Sequence, residues 1–183
     1  FSAQELKHYD PCLFSGSMWD TACYLLRKTP ALEQPLIAQM INFELQTPNA
    51  AGHHGNGWQL AFMYDALKSR LPLTDIQRQQ INHTLEKSLF HYLLLLNDNS
   101  ASLWHGRASL ASQLWLVVMA LDHVTDQQLA DTAPHLYSLI EALEFSEAWP
   151  GGYNYWINNR GYTVSLALSS YLQGTEPDVW HDR

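Results

Sequence analysis

Three short stretches of this chain collect the side chains that could do chemistry. Pro48 to Trp58 holds His53, His54, Asn56 and Trp58; Asn97 to Arg107 holds Trp104, His105 and Arg107; Trp149 to Tyr162 holds Tyr153, Tyr155, Trp156, Asn158, Asn159 and Arg160. Flat indole faces stack on the C–H face of a pyranose, Asn and His give fixed donors to hydroxyls, and Arg grips a carboxylate through two parallel hydrogen bonds. A Tyr or His within reach adds proton transfer. Each also has a plain structural reading. A single Trp fills a core, His105 bonds a helix-end carbonyl, Asn158-Asn159 cap the last helix, and Gly151-Gly152 make a turn.

These residues depend on helices to position them, and the apolar spacing supplies the helices. Apolar residues recur every three to five positions over Met18–Leu26, Leu36–Leu45, Trp58–Leu67, Ile76–Leu93, Ala108–Leu121, Leu136–Leu143 and Tyr162–Leu172, the pattern of a helix that buries one face. Thr74-Asp75-Ile76-Gln77 and Thr125-Asp126-Gln127-Gln128 have the form of capping boxes. Thr29-Pro30 reads as a cap followed by proline in the first turn, and Pro134 should kink or restart the sixth helix. No segment alternates as a strand does. The expectation is an all-α chain of about seven helices.

Short connections make successive helices antiparallel, so the joints alternate between two ends of the assembly. The odd-to-even joints, near Lys28, Leu71 to Thr74 and His123 to Thr125, are short, and the even-to-odd joints are the three unusual stretches. All three should therefore lie on one rim. Each odd helix also follows a similar phrase, beginning at Gly16, Gly55, Gly106 and Gly161, at spacings of 39, 51 and 55 residues. A degenerate helical-hairpin repeat of that kind stacks into a solenoid or closes into a partial or complete (α/α) toroid.

Composition narrows the class. The chain is 183 residues with 46% hydrophobic and 15% charged, enough for a single domain (1–183) with a sizeable core. No apolar run reaches the roughly 20 residues that span a bilayer, so no membrane is expected. The net charge of −8 argues against nucleic acid. Its distribution is uneven: across residues 47–58, 97–107 and 146–162 the acids are Asp98 and Glu147 and the bases Arg107 and Arg160, so the whole −8 lies on the rest of the chain. A neutral rim on an acidic body suits an anionic ligand, and its histidines add charge below about pH 6.5. Cys12 and Cys23 could form a disulfide in an exported protein, but Cys23 lies on an apolar helix face and the plainer reading is a buried free thiol. A start at Phe1 fits a processed signal peptide or a trimmed chain, and the end near Gly174 to Pro177 has no closing helix, so a piece of a longer protein is expected.

With those residues in view, the chain resembles the helical domain of heparinase II/III-like and alginate-lyase-like polysaccharide lyases. The phrases that carry the likeness are Leu60-Ala-Phe-Met-Tyr-Asp65, Leu103-Trp-His105-Gly before an apolar helix, and Trp149-Pro-Gly-Gly-Tyr-Asn-Tyr155-Trp, within a span from about Trp19 to Tyr171. The resemblance implies an (α/α) toroid followed by a β-sandwich domain, a periplasmic or secreted location with cytoplasmic as the alternative, and β-elimination of a uronic-acid polysaccharide. It implies no cofactor. Its Asn-His pair falls on Trp104-His105, so His105 matches and Trp104 departs, leaving Asn97, Asn99 or Asn56 to neutralise the carboxylate. The catalytic Tyr falls on Tyr155, with Tyr153 second. A neighbouring Arg160 or Arg107 would lower its pKa from about 10.

Two alternatives come from other classes. One is a helical domain that binds a glycan or a protein through the rim and cleaves nothing. In the other, Gly52-His-His-Gly55 and Trp104-His105-Gly106 resemble the His-Gly phrases of lanthionine-cyclase-like toroids, whose zinc takes Cys and His ligands.

Overall fold

The computed structural model describes residues 10–49, 54–98, 104–146 and 161–175. These form seven α-helices: α1 Ser17–Arg27, α2 Glu33–Ile41, α3 Gly57–Leu67, α4 Asp75–Asn97, α5 Trp104–Ala120, α6 Asp126–Ser146 and α7 Gly161–Thr175, with short 3-10 turns at Pro11–Leu13 and Pro30–Leu32. No strand occurs among the described residues, and the protein is all-α.

Local chemistry starts the two longest helices as the sequence predicts. The Thr74 hydroxyl accepts from the Gln77 amide at 3.3 Å while Gln77 Oε1 accepts from the Thr74 amide at 2.9 Å. The Thr125–Gln128 pair repeats the exchange at 3.1 and 2.8 Å. Each box satisfies helix-end amides that would otherwise lack partners. Three local expectations are corrected. Thr29 makes no side-chain cap, and Pro30 opens a 3-10 turn that runs into α2. α2 stops at Ile41, where the Asn42 side chain donates to the Ala38 carbonyl at 3.0 Å. Pro134 does not restart α6, which is helical on both sides of it.

Contacts between helices sort into two rows. α1 meets α3, α3 meets α5 and α5 meets α7; behind them α2 meets α4 and α4 meets α6. The strongest contacts all belong to α5, which packs on α3, α4, α6 and α7. Its sequence explains that position. Ala108, Ser109, Ala111 and Ser112 permit close approach on one part of its surface, and Leu110, Leu114, Val117 and Val118 fill the remainder, so the helix is buried nearly all round. Several of the polar groups carried inside are paired with one another. Tyr92 donates to Gln113 Oε1 at 2.7 Å, Gln113 donates to Ser109 Oγ at 2.9 Å, and Ser112 reaches Thr163 at 3.3 Å, linking α4, α5 and α7. A closed toroid would need α7 to meet α1, and the helix pairs that define the two rows do not include that one among the described residues.

The free-thiol reading of the cysteines is also corrected. Cys23 is buried on α1 as expected, yet Cys12 comes to it and the two form a disulfide with Cα atoms 4.8 Å apart. The cause is the turn at Pro11–Leu13, which Asp10 caps by accepting from the Cys12 amide at 3.0 Å and anchors to α1 through an ion pair with Arg27. Cross-linking residues 11 apart removes about 3 kcal/mol of loop-closure freedom from the unfolded chain. Urea unfolding with and without dithiothreitol should differ by about that amount, and overlapping curves would contradict the bond.

Candidate functional site

Antiparallel order carries the loop before α3 and the start of α5 to the same end, and they meet there. The His54 ring lies so close to Gly106, in the first turn of α5, that a Cβ on Gly106 would stand 3.7 Å from His54 Cε1. Two of the three chemistry-bearing stretches thus share one rim. The third cannot be placed: Tyr153, Tyr155, Trp156, Asn158, Asn159 and Arg160 lie outside the described residues, as does His53. Trp104 and His105 form the start of α5, and their side chains are outside what is described.

The remaining expected ligand-binding residues turn out to have work within the fold. Trp58 is only 8% exposed, so its ring faces are packed and offer no stacking platform to a sugar. Asn56 ties down the segment before α3: its Oδ1 accepts from the Gln46 amide at 2.8 Å and its Nδ2 donates to the Glu44 carbonyl at 3.0 Å. Arg107 is half-buried and turns away from the odd row toward the even one, where it donates to the Leu96 carbonyl at the end of α4 at 3.5 Å.

That direction identifies a site the sequence did not suggest. Between the rows, the end of α4, the first turns of α5 and the middle of α6 enclose a crevice of about 230 Å³ lined by Leu96, Arg107, Ala108, Ala111, His135, Ser138 and Leu139. His135 Nε2 lies 3.2 Å from Asn97 Oδ1. Burial, and then the nearby Arg107 guanidinium, push the His135 pKa below its ordinary value of 6.5, so the ring is neutral at pH 7. The sequence signal available was spacing alone: His135, Ser138 and Leu139 share one helix face, beside a proline that drew attention to itself instead.

Two further features lie away from the rim. A groove of about 250 Å³ runs along the odd row between α3, α5 and α7, with Phe62, Leu116, Met119 and Leu166 among its walls. At the short-joint end, Tyr64 donates to Asp122 at 2.5 Å, and Asn82 and Arg78 gather on the same pair. Burial first, then the Asp122 contact, raises the Tyr64 pKa above its ordinary value. Burial likewise raises Tyr24 and Tyr92. In all three of these tyrosines the ionised phenolate that a base role needs is scarcer than in a free phenol.

The zinc-toroid alternative loses its sulfur ligands, since each cysteine is bonded to the other. Among the described residues no three His, Cys, Asp or Glu side chains come together as a metal site, and no helix is long and apolar enough to cross a membrane. Compared with family models, with curated proteins and with solved structures, the chain finds no match.

Proposed function

We propose that this chain is the helical domain of a lyase that cleaves a uronic-acid polysaccharide by β-elimination, with the sugar lying across the rim. The observation that carries the reading is the approach of His54 to Gly106, which brings two loops rich in His and Asn to one end of the odd row. The disulfide supports export to an oxidising compartment, where such polymers are met. Removal of the proton next to a carboxylate needs that carboxylate neutralised and a base in place. His105 would serve the first need and Tyr155 the second, with a following β-sandwich domain completing the cleft.

The full-length protein, offered alginate, heparan sulfate and chondroitin, should generate the ultraviolet absorbance of an unsaturated uronate. Tyr155→Phe should lower that rate by about 10²-fold or more. Absence of the signal with every uronic substrate, or an unaltered rate in Tyr155→Phe, would reject the lyase. A second reading, a rim that binds a glycan or a protein without cleaving it, is favoured by the engagement of Asn56 and Arg107 with backbone carbonyls of the fold. It expects glycan binding with no new absorbance.

A further inference from the structure

The crevice between the helix rows has a chemistry of its own, and it lies behind the odd row on whose rim the polysaccharide is proposed to sit. Its aliphatic lining comes from Leu96 of α4, Ala108 and Ala111 of α5, and Leu139 of α6. Its polar lining comes from Arg107 of α5 and His135 and Ser138 of α6, with the Arg107 guanidinium close enough to act on His135. The volume of about 230 Å³ falls below the roughly 300 Å³ at which sites for drug-sized ligands begin. It suits one six-membered ring with its substituents and is too small for a chain. A guanidinium, an imidazole and a hydroxyl in one crevice with aliphatic side chains match a ligand with one anionic end and one C–H-rich face.

We propose that this crevice binds a single small carboxylic acid, of the size and shape of a free uronate sugar, with its carboxylate on Arg107 and its ring against Ala111 and Leu139. The site does not depend on the lyase reading, since it shares no residue with the acid–base pair proposed there. His135 reports on occupancy. The charged group acting on it is Arg107 of α5; its neighbour on α4 is the neutral Asn97, and on its own helix Asp131, one turn earlier, accepts from Gln127 at 2.8 Å. A carboxylate placed beside the ring adds an opposite charge and favours the imidazolium, so binding near pH 6 should take up a proton.

Calorimetric titration of the protein with glucuronate, and with glucose as the neutral control, tests the site. Glucuronate should bind at least tenfold more tightly than glucose, and Arg107→Gln should erase that preference. Repeating the titration in two buffers of different ionisation heat should reveal proton uptake in the wild type and none in His135→Gln. Ala111→Leu, which fills the crevice, should abolish binding. Because the last variant could fail to fold, the wild-type His135 ring resonances provide a second readout and should shift on adding glucuronate but not glucose. Equal affinity for the two sugars, or His135 resonances unmoved by glucuronate, would overturn the proposal while leaving the unsaturated-uronate assay to judge the lyase separately.

Discussion

Replacing Gly57 by alanine is expected to lower folding stability by about 3 kcal/mol. At a solvated helix position the same change would raise stability by about 1 kcal/mol, because alanine gives up less backbone freedom on folding. The reversal comes from the contact between α3 and α4. A Cβ on Gly57 would stand 1.8 Å from Ser88 Oγ and 2.7 Å from Ser88 Cβ. The hydroxyl can rotate away, but the Cβ is fixed to α4, so one helix has to move. Ser88→Gly removes both atoms. Alone it should cost about 1 kcal/mol for a glycine inside a helix, and combined with Gly57→Ala it should recover more than 1 kcal/mol of the single-variant loss. Urea unfolding of the four proteins gives the coupling. A Gly57→Ala protein as stable as the wild type would mean that the helices are not this close. The contact also bears on the rim. The adjacent Gly55, at φ 73°, is held with Gln46 O, Pro48 Cδ and Tyr92 Oη all within 3.1 Å of where its Cβ would be, so moving α3 displaces the loop that brings His54 to Gly106.

What could be read from the sequence follows the range of the interactions. Capping boxes at Thr74 and Thr125 involve residues three apart, and both formed as written. The order of the helices followed from periodicity, and the meeting of two of the long joints at one end from the parity of short and long joints. Errors entered where a distant partner decides the outcome. Phe43 keeps the apolar spacing of α2 without belonging to it, because it packs on the core from the non-helical segment that Asn56 pins in place. Cys23 reads as a lone buried thiol until the Asp10-capped turn brings Cys12 against it. Pro134 breaks a helix in isolation at a cost of about 3 kcal/mol, but here Leu136 and Leu139 bury against the core and the Thr125 cap holds the start, so α6 continues through it. The candidate site was legible as a set of loops but not as a geometry. The direction of Arg107 is set by the end of α4 and its neighbour His135 by α6, and neither lies near it in sequence.

Asp122→Ala should prove the most damaging single change at the short-joint end, with a loss of about 3 kcal/mol. Asp122 sits in the joint between α5 and α6 and accepts from the Tyr64 hydroxyl at 2.5 Å and from Asn82 Nδ2 at 2.9 Å, with Arg78 at 3.9 Å. Its own amide donates back to Asn82 Oδ1 at 2.9 Å. The surrounding bonds tie the joint after α3 to the joint after α5: Arg78 donates to the Lys68 carbonyl at 2.6 Å, and Lys68 donates to the Ala120 carbonyl at 3.2 Å. Tyr64 is fully buried, so truncating Asp122 leaves a phenol O–H inside the protein with no acceptor, in the company of donors from Asn82 and Arg78. Removing the other partner is milder. Tyr64→Phe takes the buried donor away with its bond, and the partly exposed Asp122 keeps Asn82 and water, so about 1 kcal/mol is expected. Asp122→Asn, which retains an acceptor but no charge, should fall between them. The order Asp122→Ala, Asp122→Asn, Tyr64→Phe in denaturation midpoints is the result to look for. Equal losses from Tyr64→Phe and Asp122→Ala would mean that the cluster acts by packing alone and that the charge on Asp122 does not organise the joints.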